Sequence, residues 1–182
     1  MKKILLIWVL SSAWWSLLAQ NEDYEYQEEL NIIKEQFKEI NNGEGYTETN
    51  PFTANDDCHI SIRLKKKGDE IKMIEVRRYE DTRSFVYQFY YWDDIPFFIY
   101  TRNDINEGGI FRVSEYRHYF AGYKCFRTLY KGFRYKNVEP KIKNMEFMDY
   151  SKAYEFQLLA EQLLDAVKQK DWKKVCELNF PI

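Results

Sequence analysis

Histidine is nearly missing from this chain of 182 residues: only His59 and His118 occur. A metal centre or a nucleophile–base pair would have to draw on these two and on three cysteines, Cys58, Cys125 and Cys176. The spacing fits no ordinary zinc pattern, because no close C-x-x-C or H-x-x-x-H pair is present. Cys58 stands beside His59, but neighbours on a strand point to opposite faces and do not meet as thiol and base. A structural reading of these five residues therefore outweighs a catalytic one, and no catalytic residue, metal ligand or cofactor is expected. Glycine is sparse as well, at seven residues, and no Gly-rich phosphate loop, G-x-S-x-G elbow or H-E-x-x-H helix occurs. Positive charge is not in surplus: 27 Lys and Arg face 29 Asp and Glu. Phosphate backbones require a concentrated basic surface, so nucleic acid is not an expected partner.

No apolar run reaches the roughly 20 residues that a bilayer span needs. The nearest approach lies at the start. Lys2 and Lys3 precede an apolar core, Ile4–Leu10 and Ala13–Leu18, interrupted only by Ser11 and Ser12. Ser16-Leu17-Leu18-Ala19 then offers a small residue before the polar Gln20-Asn21-Glu22-Asp23. A basic start, a short apolar run and a small residue at the cut are the parts of an export signal. Residues 1–19 are therefore read as a signal peptide and 20–182 as one domain, periplasmic or secreted. No cysteine follows the apolar run to take a lipid, so no stable membrane anchor is expected after cleavage.

The remaining composition, 45% apolar and 31% charged, is that of a folded domain rather than a disordered one. Aromatics make up 18%, with fifteen Tyr and thirteen Phe. Tyrosine on strands can bury its ring and keep its hydroxyl wet, which favours a sheet and permits a binding face.

Asp23–Asn41 predicts a helix, with Leu30, Ile33, Phe37 and Ile40 on one stripe. Residues 44–57 predict a loop. From Cys58 the period becomes two: Ile60, Ile62 and Leu64 alternate with His59, Ser61 and Arg63. Further strands follow over 70–79, 84–92, 96–102, 110–120 and 123–130, joined by short turns. The third is apolar on nearly both faces, which marks a central strand. Asn103–Gly109 is read as a polar loop, and Pro140 as part of another. Tyr150–Lys170 predicts a helix capped by Ser151 or Asp149, and Asp171 caps a short last helix with Trp172, Val175 and Cys176. The fold class is α+β: an N-terminal helix, an antiparallel meander of about six strands, and a C-terminal helix packed on the sheet.

Candidate functional residues come from the strands. In Glu115-Tyr116-Arg117-His118-Tyr119-Phe120, alternation places Glu115, Arg117 and Tyr119 on one face. A cross-strand ion pair and aromatic ladder is the structural reading. The functional reading is a polar and aromatic platform, with Tyr87, Tyr91 and Tyr100 joining Glu115, Arg117 and Tyr119 to hold a partner protein, peptide or glycan. Carboxylate pairs at Asp56-Asp57, Glu80-Asp81 and Asp93-Asp94 keep an envelope hydrolase as an alternative, although Asp is common in turns. A second alternative is an inhibitor of an extracellular hydrolase that inserts the 103–109 loop. An odd number of cysteines leaves at least one unpaired. Cys58 and Cys125 stand on the first and sixth strands, about five steps of 4.8 Å apart, so no bridge between them is expected. Cys176 can reach either one if the last helix packs over the sheet. The cysteines are otherwise read as small core or surface residues.

Leu18-Ala19-Gln20, Tyr90-Tyr91-Trp92 and the 115–120 block together resemble small exported proteins of Gram-negative bacteria, in which a signal ending in Leu-Ala-Gln precedes a helix and an aromatic-rich meander. The resemblance implies a periplasmic or secreted location and brings no activity or catalytic residue with it.

Overall fold

The computed structural model describes residues 26–55, 58–136, 139–146 and 150–181. The expected signal segment, the Asp56-Asp57 pair and the expected Ser151 or Asp149 cap fall outside what is described. The chain runs α1 (Gln27–Asn42), β1 (Tyr46–Glu48), β2 (Phe52–Asn55), β3 (Cys58–Lys67), β4 (Glu70–Glu80), β5 (Arg83–Trp92), β6 (Ile95–Glu107), β7 (Ile110–Ala121), β8 (Lys124–Lys136), β9 (Glu139–Glu146), α2 (Tyr150–Gln169) and α3 (Trp172–Glu177). The strands form one antiparallel sheet in the order β1-β3-β4-β5-β6-β7-β8-β9, with β2 also paired to β3.

The class is α+β as expected, but the meander exceeds six strands. Two short strands lie inside the segment read as a 44–57 loop, and β9 contains Pro140. All three are outer strands, where a missing ladder bond at proline is tolerated. The expected 103–109 loop is also corrected. Asn103–Glu107 continues β6, opposite Ile110–Ser114 of β7, and the turn contracts to Gly108-Gly109. Both glycines have positive φ (58° and 76°), the conformation that glycine adopts without a Cβ clash.

The sheet lies between helical layers. On one face, Ile62, Ile74, Val76, Phe89, Tyr91 and Ile99 pack against Phe156, Ala160, Leu163 and Val167 of α2 and Val175 of α3. On the other, Leu30, Ile33 and Ile40 of α1 pack on Met73, Tyr90, Phe97, Phe98 and Phe126. Central β5 contributes to both cores, which accounts for its apolar character on both parities. Phe89 is fully buried.

The C-terminal segment is fastened at several points. Asp171 caps α3 as expected, accepting from Lys174 N at 3.0 Å. The Trp172 ring meets Phe52 edge-on at 5.0 Å, and Phe180 lies 5.2 Å from Tyr87. Cys176 is bonded to Cys58, with Cα atoms 5.8 Å apart across 118 residues of sequence. Of the two partners left open for Cys176, the structure selects Cys58, because α3 packs on β2 beside the start of β3; these two are therefore not the unpaired core or surface residues they were otherwise read as. Cys125, far across the sheet, is the buried free thiol. No helix among the described residues is long and apolar enough to cross a membrane.

Candidate functional site

Each core strand of the meander carries one parity toward α2 and the other toward α1. Helix α1 spans only one end of its face, the end formed by Met73, Tyr90, Phe98, Tyr119 and Phe126. Two residues further along each strand, no other described element covers the same parity. The register aligns this open region in two rows. One row runs Arg63, Glu75, Gln88, Tyr100, Arg117, and the other Arg77, Val86, Arg102, Glu115, Lys131.

Two charge networks occupy it. Glu75 Oε1 accepts from Arg77 Nε and Oε2 from Gln88 Nε2, both at 2.8 Å. Arg63 Nε stands 3.7 Å from the same carboxylate, while its Nη1 donates to Glu48 at 3.1 Å. Burial alone raises the pKa of Glu75. The hydrogen bonds from Arg77 and Gln88, with the charges of Arg77 and Arg63, together outweigh that cost and hold it below the ordinary carboxylate value. In the second network Arg102 Nε donates to Asp104 at 2.9 Å and Nη1 stands 3.7 Å from Glu115. Arg117 Nη2 lies 3.9 Å from the other Glu115 oxygen. Beside this network a groove of about 440 Å³ opens between Arg102, Phe111, Val113, Glu115 and Phe133.

The six expected site residues therefore divide. Tyr100, Glu115, Arg117 and Tyr119 share this face. Tyr100 is half-buried and its phenol is raised by burial and then by Glu115. Tyr119 sits at the margin of α1, its ring 5.1 Å from Phe98. Tyr87 and Tyr91 lie on the opposite parity, buried beneath the C-terminal segment and α2. Their hydroxyls donate to Pro181 O and Ala160 O, each at 2.9 Å. Burial raises the Tyr87 phenol to about 12 and that of Tyr91 well above its ordinary value. Both are core residues with a hydrogen-bonded polar tip.

Sequence reading missed Arg63, Glu75, Arg77, Arg102 and the apolar groove walls. The signal was present: polar residues recur on one parity of successive strands. Reading it across strands requires the hairpin registers, which a single strand does not reveal.

The other chemical candidates are placed differently. His118 Nδ1 is 3.0 Å from Thr128 Oγ1, and Cys125 Sγ is 3.7 Å from the same oxygen, all within the core on the α2 side. Burial pushes the Cys125 thiol up, away from the reactive thiolate. Glu80 pairs with Arg78 at 2.9 Å and Asp94 with Lys168 at 2.6 Å. Among the described residues no cluster of three His, Cys, Asp or Glu stands close enough to hold a metal ion. No family model, curated protein or solved structure matches the chain.

Proposed function

We propose that this protein is exported, cleaved near Ala19, and acts in the periplasm or medium as a non-enzymatic binding domain that uses the open half of its α1-side sheet face. The observation that carries the reading is the groove beside Arg102 and Glu115. It combines two phenyl walls with a guanidinium–carboxylate floor on a rigid sheet. A ligand site needs apolar area for affinity and a few fixed polar groups for orientation, and this groove supplies both. The Cys58–Cys176 bond supports an oxidising compartment, where such bonds persist. Binding is favoured over hydrolysis because Glu75 and Glu115 are each engaged by arginines. Glu75, held below the ordinary carboxylate value by its arginines, stays ionised and does not donate a proton as a glycosidase acid must. The inhibitor alternative loses its inserting loop, since 103–107 is strand.

Two measurements test the proposal. Intact-mass analysis of the exported protein should show loss of residues 1–19. Glycan and peptide arrays should then yield a ligand whose retention falls in Phe111→Ala, at the groove, and persists in Tyr154→Ala, on α2. Phe111 and Tyr154 are 37% and 68% exposed, so both variants should fold. A ligand indifferent to Phe111→Ala but lost with Tyr154→Ala would refute the assignment of the face.

A further inference from the structure

The open face contains as many acids as arginines in its two networks, yet it does not present them equally to solvent. Glu75 and Glu115 are 4% and 14% exposed, whereas Arg63, Arg77, Arg102 and Arg117 are 31%, 39%, 40% and 46% exposed. The charges are layered: carboxylates lie against the sheet and guanidinium groups lie over them. Lys131, directly across from Glu115, adds a fifth cation, its Nζ 4.7 Å from the Phe133 ring centre. Asp104, 24% exposed, lies against Arg102, and Glu48, 44% exposed, stands at the margin on β1. A chain with net charge −2 thus carries one face whose outer layer is basic.

We propose that this layer is the recognition surface for an anionic polysaccharide, one bearing carboxylate or sulfate groups along its length; the inference rests on the binding-face reading above. Guanidinium groups suit such anions because their planar fork presents paired N–H donors. Hydrogen bonds orient three of those forks before any ligand arrives: Arg77 Nε donates to Glu75, Arg63 Nη1 to Glu48 and Arg102 Nε to Asp104. Spacing across the sheet follows from the register. Arg77 and Arg102 flank Val86 at two strand steps, about 10 Å, and Arg63 and Arg117 close the longer row at four steps, about 19 Å. An extended ligand crossing the strands would meet cations at both intervals. Tyr100 and the Phe111 and Phe133 rings offer flat apolar faces for the C–H faces of sugar rings.

A glycan fits better than an acidic peptide for a reason of backbone accounting. Peptides recognised by sheets add as a strand to an edge, where main-chain N–H and C=O groups are free. Here β4, β5, β6 and β7 are each paired on both sides. The face therefore offers side chains only, and a ligand must be recognised through its own carboxylates and hydroxyls.

The test is a charge placed between the cations. Val86 is half-buried and directly opposite both Arg77 and Arg102. Val86→Glu would set one negative charge between the two guanidinium groups from within the sheet, and Val86→Gln controls for size. The exported protein is titrated with oligogalacturonate, uncharged dextran and polyglutamate. Oligogalacturonate should bind, and its affinity should fall roughly tenfold or more as salt rises from about 50 to 200 mM. Val86→Glu should weaken it by about tenfold or more, while Val86→Gln stays within about threefold of the parent. Denaturation curves check that both variants are folded, and the exposed Arg117→Ala should weaken binding independently. Parent-like affinity in Val86→Glu, equal loss in Val86→Gln, or no binding of oligogalacturonate overturns the proposal. Tighter binding of polyglutamate reassigns the partner to an acidic peptide and also overturns it. If dextran binds as well as oligogalacturonate and Phe111→Ala abolishes both, the anion proposal fails while the binding face stands. Ligands indifferent to Phe111→Ala and Val86→Glu alike remove both.

Discussion

Replacing Cys58 and Cys176 together by serine isolates what the cross-link contributes. The bond joins residues 118 apart in sequence. For a closed loop of that size the chain-entropy relation gives about 5 kcal/mol, and measured disulfides more often give about 2–4 kcal/mol. A loss of about 3–5 kcal/mol is expected here, because the native packing around the bond does not depend on it. Val175 is fully buried, Phe180 lies against Tyr87, Trp172 meets Phe52, and the Tyr87 hydroxyl donates to Pro181 O. These contacts should keep α3 seated in the variant, so the loss should arise mainly in the unfolded ensemble. That has a second consequence. An unfolded chain freed from a cross-link of this length exposes more surface, so the urea m-value should rise as the midpoint falls. Equilibrium urea unfolding followed by far-UV circular dichroism and tryptophan emission measures both quantities, and Trp172 reports α3 directly. A loss below about 1 kcal/mol with an unchanged m-value would refute the entropic reasoning. A native-state shift in Trp172 emission would show that the bond, rather than packing, seats the helix.

Phe89→Ala should cost about 3–5 kcal/mol in the same assay, since the ring is fully buried between β4 and β6 beneath α2. Glu75 has a folded pKa below its unfolded value of about 4.3, so its contribution is present above that pH and is lost as pH falls through the lower folded value. The urea midpoint should therefore drop between about pH 5 and pH 3 by more in the parent than in Glu75→Gln; equal drops would exclude Glu75 as the source. Cys125, buried and with its thiol pKa raised, should resist iodoacetamide in native protein at neutral pH and react once urea unfolds the chain. Asp171→Ala should remove a cap worth about 1 kcal/mol, read as a lower thermal midpoint.

Legibility in the sequence followed the range of each interaction. The α1 stripe, the strand alternation from Cys58 and the Asp171 cap depend on residues a few positions apart, and each has a local signature. The outer strands had none: β1 and β2 are three and four residues long, and β9 carries Pro140, so tertiary pairing rather than pattern defines them. Asn103–Glu107 looked like a loop because it is polar, yet its pairing with β7 satisfies the backbone. The same distinction split the candidate site. Glu115, Arg117 and Tyr119 were correctly placed on one face because they share a strand. Tyr87 and Tyr91 were grouped with them by residue type, whereas the register from β5 through β6 to β7 puts them on the other side.

That register also explains why the two faces of the sheet differ. On the α2 face, Ile62, Ile74, Val76, Phe85, Phe89, Tyr91 and Ile99 form the core on β3 to β6, and α2, α3 and the C-terminal segment pack against them. On the α1 face, each strand changes character after one or two residues: Met73 gives way to Glu75 and Arg77, Tyr90 to Gln88 and Val86, Phe98 to Tyr100 and Arg102, and Tyr119 to Arg117 and Glu115. The boundary falls at the same height on four strands, where α1 ends its cover. Ion pairs alone are a weak reason for such an arrangement, because half-exposed pairs contribute little to stability. Burying Glu75 adds a desolvation cost that a well-packed apolar residue would avoid. A sheet selected only for stability would extend the aromatic core under a longer helix. Ending the core at a common line, and layering guanidinium groups over Glu75 and Glu115 beyond it, instead fixes the positions of several cations on a rigid surface, which is the arrangement the proposed binding face requires.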